Sequence, residues 1–204
     1  MLGVLVLGTG VAAPAWAAPA DQAPTDDLPH CVVTAVEVSD RDAGPVPPAE
    51  CFATFAEAIA AATGGRVRLA ADARTVDQTT LDAAAPMFAP GSIEPSATII
   101  GIEYEHKNFG GWSYVIQSTN WRGCAGYSYR ISSLPSGRNN EISSARTYAS
   151  CKSNHYSGTN LTGSRYLCGC SQMGAMNDQT SSIFFSSTGF VSSPGNVSST
   201  GFRR

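Results

Sequence analysis

The chain has 204 residues, of which 43% are hydrophobic and only 14% charged; this suits short strands joined by turns and excludes a protein built on long, charge-covered helices. The net charge of −3 is unevenly spread: residues 21–98 carry 12 acidic and 4 basic side chains, whereas residues 99–190 carry 4 acidic and 7 basic ones. Such unlike halves suggest two units, read either as independently solvated surfaces or as an acidic pro-segment docked on a basic mature domain.

Residues 1–20 read as a signal peptide. The apolar run Leu2–Val11 is too short to span a bilayer, and Ala15-Trp16-Ala17 has the small-x-small pattern of a cleavage site. The expected product is secreted, with no membrane partner. Residues 21–96 form an acidic N-terminal segment and linker. Within it, Val32–Val38 alternates as a strand does, and Arg41–Glu50 is a proline-rich loop. A helix follows over residues 52–63. Thr54 and Glu57 make its capping box, Phe52, Phe55 and Ile59 share one face, and Gly64-Gly65 ends it. Residues 66–70 suit a short strand, and residues 72–95, punctuated by Pro and Gly, suit a linker. Residues 97–187 form a compact all-β domain, with aromatic and β-branched residues recurring between Gly, Asn and Ser clusters. Residues 188–204 are Ser- and Gly-rich and read as a flexible tail.

Six cysteines in an exported chain imply up to three disulfides. Cys31 pairs most economically with Cys51. Cys124, Cys151, Cys168 and Cys170 supply two more bridges of open connectivity, although Cys168-Gly-Cys170 is too close for an easy mutual bridge. The absence of paired Cys-x-x-Cys spacing argues against zinc held by cysteines with His106 and His155.

Two patterns recur in the β region. The first is an aromatic hairpin, Tyr104-Glu-His-Lys-Asn-Phe109-Gly-Gly111, with a second copy read as Cys151-Lys-Ser-Asn-His-Tyr156-Ser-Gly158. Rings at this spacing stack on one another, and the glycine takes a positive φ. The second is Asn139-Asn140-Glu141-Ile142-Ser143-Ser144, repeated as Asn177-Asp178-Gln179-Thr180-Ser181-Ser182. Both copies are rich in the hard oxygen donors that calcium selects.

Together these motifs resemble the βγ-crystallin superfamily over about residues 97–187. The resemblance implies an all-β, double Greek-key sandwich of eight strands, here preceded by a small α+β N-terminal segment. It also implies a calcium-binding module with two crossed N/D-N/D-x-x-S/T-S clamps. Carried over by position, the ligands are side-chain oxygens of Asn140 and Asp178, backbone carbonyls of Glu141 and Gln179, and hydroxyls of Ser143 and Ser181. Hairpin carbonyls near Glu105 and Lys152 complete the set. Asn139 and Asn177 hold the loops. Neutral Asn140 predicts the weaker of the two sites.

Two other functions fit the residues. Tyr156-Ser-Gly-Thr-Asn-Leu-Thr-Gly163 resembles a stretch of secreted actinobacterial metalloprotease inhibitors of the same fold, which would make an extracellular protease the partner. The charge split suits a toxin or antimicrobial released from its pro-segment. No nucleophile elbow, zinc-protease motif or phosphate loop is present, so no enzyme is expected. His106 and His155 read as solvated loop histidines. Seven dispersed cations read as an ordinary surface, so no nucleic-acid partner is expected.

Overall fold

A computed structural model describes residues 29–38, 48–84, 97–118 and 120–189. The expected signal peptide, most of the leader, residues 85–96 and the tail beyond Gly189 lie outside the described residues.

The strands are β1 (His30–Thr34), β2 (Val36–Glu37), β3 (Ala49–Phe52), β4 (Ile99–His106), β5 (Gly110–Gln117), β6 (Ser128–Ile131), β7 (Ser144–Thr147), β8 (Lys152–Tyr156), β9 (Arg165–Leu167) and β10 (Ser182–Ser186). Two helices, α1 (Phe55–Ala62) and α2 (Gln78–Ala83), lie between β3 and β4. One sheet has the order β3-β1-β5-β4-β7, and the other β2-β6-β10-β8-β9.

Within this order sit two four-strand units. The first places β5-β4-β7 in one sheet and sends its third strand, β6, to the other. The second places β9-β8-β10 in the other sheet and sends its third segment back. That segment, residues 168–173, runs beside β7, where Ala145 N–H donates to Cys170 O at 2.9 Å. Each unit thus closes the sheet of its partner, and the result is a double Greek-key sandwich.

The N-terminal segment is built into this sandwich, not set apart from it. β1 pairs in parallel with β5, from His30 opposite Ser113 to Thr34 opposite Gln117, while β2 pairs with β6 in the other sheet. The chain crosses between sheets at Ala35, which is fully buried and splits the expected single strand in two. Both faces of β1 are covered, which accounts for its unbroken apolar run. Cys31 and Val33 enter the core between the sheets, and Val32 enters a second core under α1. The expected boundary at residue 96 therefore marks a change of composition and charge, while the packing runs across it. Removing residues 29–84 would strip the outer side of β5 and uncover Ile102, Tyr104 and Val115.

The helix α1 forms for the local reason anticipated. Thr54 Oγ1 accepts from Glu57 N–H at 3.2 Å, and Thr54 N–H donates to Glu57 Oε2 at 3.0 Å. Phe55, Ala58, Ile59 and Ala62 face the second core, and Gly64 and Gly65, both at positive φ, end the helix. Residues 66–70 form no strand, and the first part of the expected linker is structured. Val76 is buried, its carbonyl accepts from the Tyr148 hydroxyl at 2.8 Å, and Asp77 caps α2. Val76 and Leu81 supply apolar contact that polar-looking residues 72–84 conceal.

Cys31 bonds Cys51, as expected, and Cys124 bonds Cys151. Cys168 bonds Cys170, contrary to expectation. With Cys124 and Cys151 joined at a Cα separation of 4.9 Å, those two remain. The chain bends at Gly169 and sets their Cα atoms 5.1 Å apart, within disulfide range.

Candidate functional site: two crossed clamps

The site lies where the two Greek keys meet, at the ends of β4 and β8. In each half a hairpin folds back over its sheet. Tyr104 leads to Asn108 and Phe109 at φ 59° and 66°, then to Gly111 at φ 74°. The second hairpin repeats this geometry from Tyr156, with Asn160 and Leu161 at φ 54° and 61° and Gly163 at φ 79°. The second aromatic motif is therefore Tyr156–Gly163, five residues beyond the Cys151–Gly158 window, and Leu161 takes the place of its second ring. Cys151 instead precedes β8.

This register sets which hairpin residues correspond. Glu105 Oε2 accepts from Trp112 N–H at 3.1 Å, and Ser157 Oγ accepts from Ser164 N–H at 2.9 Å. Both side chains fill the space that a Cβ at Gly111 or Gly163 would need. Ser157 is thus the counterpart of Glu105. Lys152 is not: it begins β8 opposite Ser186, about 13 Å along the strand from Tyr156 at ~3.3 Å per residue.

The clamps are placed by matched backbone hydrogen bonds. Ser143 N–H donates to Tyr104 O at 2.9 Å, and Ser181 N–H to Tyr156 O at 2.7 Å. Asn140 N–H donates to Thr180 O at 2.9 Å, and Asp178 N–H to Ile142 O at 3.1 Å, so each clamp is bonded to the other. Asn140 and Asp178 both stand in the left-handed region, at φ 60° and 53°. Asn and Asp tolerate this conformation better than most residues. Ser144 and Ser182 lie beneath, each accepting a hairpin N–H, from Phe109 and Leu161 respectively, at 3.0 Å.

Across the interface the side chains cross over. Ser143 Oγ donates to Asp178 Oδ1 at 3.0 Å, and Ser181 Oγ to Asn140 Oδ1 at 3.2 Å. The two hydroxyls are buried while Asn140 and Asp178 are exposed, so each pair spans from a fixed interior oxygen to a solvent-facing one. Asn177 Nδ2 donates to Asp178 Oδ2 at 2.6 Å, which orients the carboxylate and fits a loop-holding role. Glu141 and Gln179 are exposed side chains between the two anchors of each clamp. Seven of the eight predicted site residues therefore gather at this junction, while Lys152 lies apart and Ser157 stands in the position that matches Glu105.

A polar pair missed in the sequence lies deeper. Glu103 and His155 are both fully buried, and His155 Nε2 lies 3.0 Å from Glu103 Oε2. His155 belongs to β8 and is no loop histidine; it stands 52 residues after Glu103, the same interval that separates Tyr104 from Tyr156. The pair thus occupies equivalent positions of the two Greek keys and meets at their shared centre.

No family model and no curated protein matches the sequence, but solved structures resemble it. A βγ-crystallin domain from Clostridium beijerinckii is 20% identical, with 43% of this chain and 98% of that one covered at a TM-score of 0.33. A βγ-crystallin domain from Flavobacterium johnsoniae is 22% identical, with 45% and 99% covered at 0.31. A structure described under the evolution of the eye lens βγ-crystallin domain fold is 19% identical, with 47% and 91% covered at 0.34. The exchanged third strands and the matched hairpins decide the architecture. It is the double Greek key of the βγ-crystallins. In this sandwich β1 and β3 extend one sheet beyond β5, and α1 packs on the outer face of that sheet. Among the described residues, no helix is long and apolar enough to cross a membrane.

Proposed function

We propose that this protein is a secreted calcium-binding module, in which two crossed clamps each take one ion and tie the Greek keys together. The observation that carries this reading is the reciprocal pairing of Ser143 with Asp178 and of Ser181 with Asn140, at 3.0 and 3.2 Å. Four hard oxygens from two loops come together in crossed pairs, and hard oxygens on loop backbone are the ligand chemistry of calcium.

One site draws on Asp178 Oδ1, Ser143 Oγ and the carbonyls of Gln179 and Glu105. The other draws on Asn140 Oδ1, Ser181 Oγ and the carbonyls of Glu141 and Ser157. The hairpin carbonyls are assigned through the backbone bonds that hold Ser143 beside Tyr104 and Ser181 beside Tyr156. The bound ion supplies a positive charge that the oxygens of both loops share. The residues themselves orient those oxygens and hold the loops at positive φ. An ion bound only by the folded protein stabilises it by mass action. The Asp178 site carries a carboxylate and is the tighter. Affinities in the range of extracellular modules, about 10−4 to 10−3 M, are expected.

The test is calcium titration of the oxidised full-length chain by calorimetry, with a thermal melt in parallel. Two binding events and a raised melting temperature, both weakened by Asp178→Ala and Ser143→Ala, are expected. No heat and no shift at millimolar calcium would remove the reading and leave the fold alone.

A further inference from the structure

The first clamp is tied to the N-terminal strand through one side chain. Arg138 and Asn139 both donate their N–H groups to Pro135 O at 2.9 Å, forming the turn that opens the clamp, and Asn140 follows at φ 60°. From this turn the Arg138 side chain reaches β1. Its Nη2 lies 3.5 Å from Pro29 O and 3.5 Å from Cys31 Sγ, and its Cζ lies 4.5 Å from the centre of the Trp112 ring. Pro29 O also accepts from Ser113 N–H at 3.1 Å, so the guanidinium sits where β1 joins β5. The platform beneath is fixed too, because Trp112 N–H is held by the Glu105 carboxylate at 3.1 Å. The position equivalent to Arg138 in the second clamp, 38 residues on as Ser143 is from Ser181, is Met176, buried in the core between the sheets. Among the described residues, only the first clamp has this link.

We infer that the docked N-terminal strand sets the calcium affinity of the Asn140–Ser181 clamp through Arg138, which acts as a positioning residue, and leaves the Asp178–Ser143 clamp independent of it. The inference rests on the calcium reading above. With β1 in place, the guanidinium is held over the indole and against the Pro29 carbonyl, and the turn presents Asn140 in its left-handed conformation already formed. With β1 loosened, the turn must be ordered at the moment of binding, which costs affinity. A released cation beside the clamp also opposes a dication. The linkage is reciprocal: calcium in the first clamp must hold β1 more firmly by the same factor. The disulfide between Cys31 and Cys51, which joins β1 to β3, makes the device sensitive to reduction.

The test uses the full-length oxidised chain, titrated with calcium chloride by calorimetry, with Asn140→Ala and Asp178→Ala assigning the two events. The double variant Cys31→Ser/Cys51→Ser changes no charge. It is expected to weaken the Asn140 event about fivefold or more and to leave the Asp178 event unchanged. Arg138→Ala should do the same with the disulfide intact. Arg138→Lys, which keeps a cation over the indole but not the planar fork, should recover part of the loss. Calcium should also slow proteolysis between residues 30 and 52, and Asn140→Ala should abolish that protection. An unchanged Asn140 event in folded Arg138→Ala overturns the inference. So does tighter binding in that variant that disappears in high salt, since Arg138 would then act by charge repulsion alone. If the serine variant fails to fold, Arg138→Ala and Arg138→Lys decide. A wild-type chain that gives no calcium heat defeats the calcium reading itself, and with it this inference.

Discussion

The two Greek keys share one plan of backbone hydrogen bonds and differ in what they hang on it. Tyr104 with Tyr156, Asn108 with Asn160, Gly111 with Gly163 and Ser143 with Ser181 play the same backbone parts. The first hairpin sets Phe109 edge-on to Tyr104 at 5.5 Å with the Arg146 guanidinium 4.1 Å from the Phe109 ring centre, whereas the second has Leu161. The first clamp holds neutral Asn140, and the second holds charged Asp178. The comparison teaches that the fold needs the glycine, the positive φ and the loop-closing serines in both halves. Ring stacking and clamp charge are free to diverge.

The largest break in this comparison is at its centre, where equivalent positions hold a buried acid and a buried histidine. Glu103→Leu or His155→Leu alone leaves its buried partner unmatched and is expected to cost about 3–5 kcal/mol in urea denaturation. The double leucine variant should recover much of that loss. Full additivity of the two single losses would show that the pair does not act as a unit. Next, Gly101 and Ser153 are equivalent positions, and a Cβ at Gly101 would stand 2.6 Å from the Phe185 ring. Gly101→Ala is expected to cost about 1–3 kcal/mol by overpacking. Ser153→Ala, losing a hydrogen bond to Cys168 O, should cost about 1 kcal/mol. Equal losses would deny the asymmetry.

The clamps can be made alike. Asn140→Asp should tighten its calcium event by about tenfold, ~1.4 kcal/mol, and Asp178→Asn should weaken its own by a similar factor. Calorimetry on both variants checks this, and a shift in the unaltered clamp instead would show that the ligand sets are assigned the wrong way round. The smallest change makes the first hairpin resemble the second. Phe109→Leu removes the edge-on contact with Tyr104 and is expected to cost about 1 kcal/mol in thermal denaturation, with the backbone conformation kept.

What the sequence revealed follows the range of the interactions. The capping box of Thr54 and Glu57 spans three residues and was legible, as were the clamps, whose donors sit side by side in the chain. The second hairpin was misplaced because Leu161 removes one ring. Cys151, Tyr156 and Gly158 meanwhile imitate the expected spacing by accident. Lys152 entered the ligand set through that shift. The pairing of β1 with β5 was hidden because it joins residues 83 apart in the chain, and nothing in His30–Thr34 names its partner. The central Glu103–His155 pair was hidden because each residue, taken singly, reads as an exposed polar group.

The parallel seam between β1 and β5 also has a consequence for how the protein is made. The strand emerging first finds α1 for its Val32 face within about 30 residues, but must wait for a strand synthesised some 80 residues later before its other edge is paired. Contacts of such sequence separation are slow to close, and an unpaired apolar strand invites association with other chains. The hairpin-like pairing of β1 with β3, closed by Cys31 and Cys51 only 20 residues apart, occupies one edge during that interval. The other edge stays open until β5 arrives, so the yield of native chain should depend on how quickly the first Greek key follows the N-terminal segment.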